Sequence, residues 1–215
     1  MSWLFATVYD PFMRKTEEAC LAQWREELLA PLEGSVLEIG AGTGANLGHY
    51  PRHLLRAEPS SGATERLVLT DPDAHMLDRL RKRPEASGRA TEIARASSDA
   101  LPFPDESFHA VVSTLVLCSV PDVARTLGEV RRVLKPGGAL VFLEHVAAED
   151  GSRRRRWQRR LEPLWSRIAG GCHLTRQTDA SIAQAGFTFE TLTKESMRKA
   201  LPLVRPTVRG VARKS

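Results

Sequence analysis

The chain has 215 residues, 42% of them hydrophobic and 27% charged, with a formal net charge of +5. That suits one globular domain with a full core, somewhat above the common domain size, and no apolar run approaches the roughly 18–20 residues needed to cross a bilayer. Three cysteines, Cys20, Cys118 and Cys172, form an odd count at wide spacing; neither a disulfide framework nor a zinc site is indicated, no metal is expected, and a reducing cytoplasm is the natural compartment.

The N-terminus, Met1 to Asp10, starts apolar but lacks a basic region and breaks at Asp10-Pro11, so it reads as a poor signal peptide. A first helix is predicted from about Lys15 to Ala30, with Leu21, Trp24 and Leu28 on one face beside Glu17, ended by Pro31 and Gly34. Ser35 to Ile39 is a short strand leading into a glycine-rich turn, followed by a helix from about Ala45 to Leu54. Leu67 to Asp71 is the next strand, and Pro72 to Arg83 fits a helix opened by proline in its first turn. A weaker strand lies near Thr91 to Ala96, and His109 to Leu115 reads as a buried central strand.

Val123, Leu127, Val130 and Leu134 then make one apolar stripe on a helix opened by Pro121 and Asp122 and closed by Pro136-Gly137-Gly138. Ala139 to Leu143 is another buried strand. The remainder predicts helices over Trp157 to Ile168 and Asp179 to Ala185, and strands over Phe187 to Thr193 and Thr207 to Ala212. Alternating strands and helices of this kind favour a largely parallel sheet covered on both faces.

Much of the basic excess is local, in Arg153 to Arg156 with Arg159 and Arg160. A nucleic-acid binder usually spreads its charge along a face with aromatic stacking groups, and only Trp157 accompanies this run. The block reads as a solvated helix start or loop, with contact to an anionic membrane surface or acidic substrate as the alternative.

Gly40-Ala41-Gly42-Thr43-Gly44 lies between a strand and a helix, where a sharp turn and close backbone approach to a ligand both call for glycine. Gly40, Gly42 and Ala45 also satisfy a loose dinucleotide fingerprint, and Asp71 at the end of the second strand suits ribose hydroxyls in either ligand class. Further on, Ser98-Asp99-Ala100-Leu101-Pro102-Phe103 precedes a buried strand, and Leu134-Lys135-Pro136-Gly137-Gly138 precedes a second. That order resembles the class I methyltransferases.

The resemblance implies an α/β, Rossmann-like fold with a seven-stranded, mostly parallel sheet and helices on both faces. It implies S-adenosyl-L-methionine as cofactor, held by Glu38, Gly40, Ala41, Gly42, Gly44, Asn46, Asp71, Pro72, Asp99, Ala100 and Leu115, with Asp99 and Ala100 at the adenine. Residues 1–33 form an N-terminal segment and first helix, and 34–215 the cofactor-binding domain. Trp3, Phe5, Tyr9 and Phe12 either form a lid over the cofactor or pack plainly against the domain.

A narrower resemblance is carried by Leu115-Val116-Leu117-Cys118-Ser119-Val120, Glu144-His145-Val146, Gly171-Cys172-His173-Leu174-Thr175-Arg176 and Leu203-Val204-Arg205-Pro206. These segments are similar to the thiol S-methyltransferases known as methyltransferase-like seven proteins, which implies S-methylation of a small thiol. The animal enzymes open on a hydrophobic anchor, without counterpart here, and the residues around Arg56 to Glu65 are extra. The same core resembles quinone-biosynthesis and phospholipid methyltransferases, so those acceptors are the runner-up, followed by a non-catalytic cofactor-binding protein.

Position at the strand ends makes His145 the first candidate to orient or deprotonate an acceptor and His173 the second. Cys118 reads as a small buried apolar side chain. A nucleic-acid methyltransferase would usually carry an Asn/Asp-Pro-Pro-aromatic motif where this chain has Cys118-Ser119-Val120-Pro121. No nucleic-acid partner or membrane-spanning segment is expected, though the arginine block leaves peripheral membrane contact open.

Overall fold

The computed structural model of the chain describes residues 11–56, 66–87 and 91–215. Trp3, Phe5 and Tyr9 therefore lie outside the described residues, as does most of the extra segment after Arg56, and Phe12 is exposed. The near-continuous apolar runs become strands largely buried on both faces, β1 (Ser35–Ile39), β2 (Arg66–Asp71), β4 (Phe108–Thr114) and all but the start of β5 (Leu134–His145), while β3 (Thr91–Arg95) is a part-exposed edge strand. These five pair in parallel, and β6 (Phe187–Ser196) and β7 (Pro206–Lys214) continue the sheet antiparallel at one edge. The seven-stranded order is β3-β2-β1-β4-β5-β7-β6, which places the switch point between β1 and β4. In open α/β sheets, ligands sit beyond the carboxyl ends of the strands at such a point.

Alternate side chains along each strand feed two cores. On one face Val36, Leu67, Leu69, Val112 and Val141 pack with Leu21, Trp24 and Leu28 of the N-terminal helix and with Leu54, Leu77 and Leu80. Those last three come from two short helices, α2 (Arg52–Arg56) and α3 (Ala74–Leu80); the N-terminal helix ends in α1 (Ala22–Leu29). On the other face Leu37, Val68, Val111, Leu140 and Phe142 meet Leu127, Val130 and Val133 of α4 (Val123–Val133) and Ile182 of α6 (Thr178–Gln184). Helices thus cover both faces, as the sequence predicts.

Several boundaries differ from expectation, each for a local reason. One turn of the N-terminal helix, Glu17–Leu21, is a π-helix, which rotates the face that follows and buries Arg25 beside Trp24 and Leu28. The helix expected over Ala45 to Leu54 is broken into a 3-10 turn at Leu47–His49 and α2. Pro51 disfavours a helical residue before it, and Tyr50 is accordingly extended, at φ −71° and ψ 144°. α3 starts after Pro72, because the Asp73 side chain accepts from the N–H groups of His75 and Met76 and caps it.

α4 ends at Val133; Leu134 is already extended, so Pro136-Gly137-Gly138 lies inside β5 rather than closing the helix. A bulge between Phe108 and Ala110 absorbs that irregular start. The arginine block forms the first turn of α5 (Arg153–Ile168), which begins before Trp157 because Ser152 caps it. Like charge at the positive end of a helix dipole is unfavourable, and Asp150 offsets it by pairing with Arg155 at 3.2 Å. Among the described residues, no helix is long and apolar enough to cross a membrane.

Candidate active site

The glycine turn sits at the carboxyl end of β1, directly at the switch point. Gly40 needs its missing side chain for packing: a Cβ there would lie 2.5 Å from a Val116 methyl, and φ is +59°. Gly42, at φ +56°, is different, because the nearest atom to an added Cβ is the Gly40 carbonyl oxygen at 3.9 Å. The space above Gly42 is therefore an open cradle that a side chain would fill. Ala41 N–H donates to the Thr70 carbonyl at 2.8 Å and Arg83 Nε to the Thr43 carbonyl at 2.6 Å, so the turn is held from both sides.

A buried polar network lies beneath it. Glu38 in β1 accepts from Asn46 Nδ2 at 2.9 Å and from the Tyr50 hydroxyl at 2.7 Å. Asn46 Oδ1 in turn accepts from Arg25 Nη1, which also donates to Thr114 Oγ1 at 3.0 Å. Glu17 closes the far side of Arg25 at 2.9 Å. Burial pushes the Glu38 carboxyl above the ordinary range against the pull of Tyr50, Asn46 and Arg25. The broken helix matters here, since it brings Asn46 and Tyr50 to the same carboxylate.

At the end of β2, Asp71 accepts from Gly42 N–H at 3.0 Å and Asp73 N–H at 2.8 Å. Burial raises its pKa against those two donors. Beyond β3, Asp99, Ala100 and Leu101 line a cavity of about 570 Å³ with Arg125, Gly128 and Glu129 of α4. Three contacts shape that rim: Arg125 Nε donates to the Asp99 carbonyl at 3.0 Å, Leu101 N–H to Glu129 Oε2 at 2.8 Å, and Arg132 Nη2 to the Leu101 carbonyl at 3.0 Å. The Arg132 hydrogen bond holds the Glu129 carboxyl below its usual range.

The turn after β4 is built on one carboxylate. Glu144 Oε1 accepts from Ser113 Oγ at 2.7 Å, Val116 N–H at 3.1 Å and Leu117 N–H at 3.0 Å, and Oε2 accepts from Cys118 N–H at 3.2 Å. Burial pushes this carboxyl up, and the four donors pull it back. Leu115, which opens the turn, has φ +59°, a conformation that costs a non-glycine residue roughly 1–2 kcal/mol. Its N–H donates to the Leu143 carbonyl at 2.8 Å.

The segment after α5 closes over that turn. His173 N–H donates to the Cys118 carbonyl at 2.8 Å, and Arg176 Nη1 bridges the Leu117 and Val120 carbonyls at 2.7 Å each. Three side chains meet in between. Cys172 Sγ is 3.4 Å from His145 Nδ1, and with Cys118 Sγ the three ligating atoms lie within 4.8 Å of one another. His145 and Cys118 are buried, and His145 Nε2 has no hydrogen-bond partner among the described residues. The bond shared between the thiols pushes Cys118 well above the usual thiol range, helped by burial, and draws Cys172 below it. His173 points its ring at Glu162, Nδ1 to Oε1 at 2.8 Å, and is partly exposed.

The sequence-selected residues therefore fall into groups. Gly40, Ala41, Gly42, Gly44 and Asp71 converge at the ends of β1 and β2, with Pro72 next along the chain, and Asp99 and Ala100 line the cavity beyond β3. Glu38 and Asn46 are buried with their polar atoms engaged by protein partners. His145 lies among the cysteines, whereas His173 is turned toward Glu162. Sequence reasoning gave no role to Glu144 or Arg25 and did not foresee the meeting of Cys118 with Cys172. A charged residue ending an apolar strand was the available signal for Glu144; nothing local signals a contact between distant cysteines.

The open cradle over Gly42, the carboxylate beside it and the cavity from Asp99 suit an extended nucleoside. Of the buried carboxylates at these strand ends, Glu38 and Glu144 are taken up by protein donors, which leaves Asp71 as the acidic group beside the cradle. Residues 37–142 match the family described as "Methyltransferase domain". The chain is 40% identical over 160 residues to thiol S-methyltransferase TMT1B of Rattus norvegicus, covering 73% of this chain and 61% of that protein's length. It is 34% identical over 212 residues to thiol S-methyltransferase TMT1A of Homo sapiens, covering 97% of this chain and 82% of that protein. The crystal structure of an S-adenosylmethionine-dependent methyltransferase from Mesorhizobium loti is similar at a TM-score of 0.61 and 22% identity, over 92% of this chain and 99% of that one.

Proposed function

The chain belongs to the family of S-adenosylmethionine-dependent methyltransferases that includes these thiol S-methyltransferases, and from that premise we propose that it methylates the sulfur of a small thiol. The single observation that carries the acceptor is the similarity to a thiol S-methyltransferase across 97% of this chain. The cluster of Cys118, His145 and Cys172 beyond β4 and β5 is consistent with it.

The cofactor supplies an already activated methyl group on a sulfonium, so the work left to the chain is to align the acceptor and exclude water. Alignment of this kind lowers a barrier by about 7–11 kcal/mol in good cases. Glu38, Gly40, Ala41, Gly42, Gly44, Asn46, Asp71, Pro72, Asp99, Ala100 and Leu115 are assigned to cofactor binding. Asp71 takes the ribose hydroxyls and Asp99 with Ala100 the adenine; the buried Glu38 and Asn46 hold the turn from below. A free alkyl thiol has a pKa of about 8.5 and is partly ionised near neutrality, so no strong base is required. His145 is the first candidate to act on the acceptor sulfur and His173, whose ring is paired with Glu162, the second.

We place the protein in the cytoplasm, with α5 as the surface for peripheral contact with an anionic membrane. Trp157, Leu164 and Ile168 are exposed on that helix, beside its arginines. The acceptor is tested by offering labelled S-adenosylmethionine with alkyl and aryl thiols, a demethylated quinone precursor and phosphatidylethanolamine. Labelling of the thiols alone is expected. Labelling confined to the quinone or lipid lane overturns the thiol reading and leaves the family intact.

A further inference from the structure

Cys118, His145 and Cys172 come from three separate stretches: the turn after β4, the end of β5 and the segment after α5. The fold fixes each of them. Glu144 holds the Cys118 N–H, and the Cys118 carbonyl holds the His173 N–H next to Cys172. Gly171, at φ +87°, lets the second segment approach, since a Cβ there would lie 3.0 Å from the Ser119 carbonyl oxygen. A tetrahedral zinc ion holds thiolate sulfur at about 2.3 Å and imidazole nitrogen at about 2.0–2.1 Å, so its ligand atoms sit roughly 3.5–3.8 Å apart. The observed 3.4 Å between Cys172 Sγ and His145 Nδ1, with all three atoms within 4.8 Å, needs only small side-chain adjustment to reach that geometry.

We propose that Cys118, His145 and Cys172 bind a thiophilic divalent cation, best matched by zinc, and leave its fourth position for the sulfur of the acceptor. Two thiols and one imidazole are soft and borderline donors of the kind zinc selects, and three protein ligands with one open position is the pattern of catalytic rather than structural zinc. On binding, each cysteine loses its proton to solvent, and an acceptor thiol entering the fourth position loses a third. The acceptor sulfur then donates an electron pair to the methyl carbon as that carbon's bond to the sulfonium breaks. The products are a thioether and S-adenosylhomocysteine. A thioether carries no charge and is the weaker ligand, so product leaves. The cation site stands on geometry alone; its role toward the acceptor rests on the thiol reading above.

The test is titration of the reduced, full-length protein with Co²⁺, followed by sulfur-to-cobalt charge-transfer absorption, together with metal analysis of protein grown with zinc. About one equivalent of cobalt should bind with the absorption of a tetrahedral thiolate site. Cys172→Ser and His145→Ala should each weaken binding more than about 100-fold, while Cys20→Ser, remote from the cluster, leaves it unchanged. Intact circular dichroism and cofactor binding separate loss of a ligand from misfolding. Adding an alkyl thiol with S-adenosylhomocysteine should shift the cobalt spectrum. No charge-transfer band in folded, reduced protein overturns the cation site, and thiol methylation that persists after chelation would then leave the thiol reading standing. A band that ignores Cys172→Ser assigns the metal elsewhere and also overturns it. A band that ignores added thiol overturns the fourth-ligand role.

Discussion

Replacing Glu144 with glutamine tests whether one carboxylate builds the turn that carries Cys118. Glu144 is fully buried and accepts four donors. The glutamine carbonyl, placed at Oε1, keeps Ser113 Oγ and the N–H groups of Val116 and Leu117. Its amide nitrogen then faces Cys118 N–H, which sits 3.2 Å from Oε2 in the native side chain, so two donors oppose each other. An orphaned buried donor costs about 1–3 kcal/mol. At about 2–4 °C per kcal/mol for a chain of this size, the melting temperature should fall by roughly 2–12 °C. Glu144→Ala orphans all four donors and should cost about 4 kcal/mol or more, a large share of a typical 5–15 kcal/mol stability. Amide hydrogen exchange followed through thermal melting reads the effect locally: Cys118 should lose protection first in the glutamine variant. Wild-type protection at residues 116–118 with an unchanged melt would refute the anchoring role.

Two glycines should respond differently to alanine. Gly40→Ala drives a Cβ to 2.5 Å from Val116 and should lower stability by more than the roughly 1–2 kcal/mol of left-handed strain alone, whereas Gly42→Ala should pay only that strain yet weaken cofactor binding tenfold or more by calorimetry; equal stability losses with unaltered affinity would contradict the cradle. The Glu129 pKa is depressed by Arg132, so its contribution is present above the unfolded pKa of about 4.3 and is lost as pH falls through the lower folded value. The Leu101 amide should accordingly lose protection, measured against its intrinsic exchange rate, as pH drops through that window, and Glu129→Gln should show the lower protection already at neutrality; a protection factor at Leu101 that does not change with pH would count against it. Trp157→Glu with Leu164→Glu should abolish salt-sensitive binding of the protein to vesicles containing phosphatidylglycerol, and failure of the unsubstituted chain to bind them would remove α5 as a membrane surface.

The central strands were legible because they are apolar runs bounded by strong punctuation, and the glycine turn because its neighbours in the chain are also its neighbours in space. Reading failed where a local stop was passed over and where distant residues decide. The helix expected after the turn is broken by Pro51, and Tyr50 then reaches Glu38. Pro136-Gly137-Gly138 looks like a helix stop, yet it is taken into β5 once Leu134 pairs with Phe108. Cys118 and Cys172 are far apart in sequence and carry no local spacing signature, so only the topology brings them to His145. Glu38 and Asn46 could be selected by position, but their engagement with Arg25 depends on the π-turn that rotates that residue inward.

The most direct measurement is transfer of the labelled methyl group from S-adenosylmethionine to a simple alkyl thiol, with thioether and S-adenosylhomocysteine quantified together. Equal amounts of the two products, formed only with folded protein and reduced by Asp71→Asn through weaker cofactor binding, are the expected result. A protein that binds the cofactor yet leaves every thiol unlabelled would contradict thiol S-methylation as its activity.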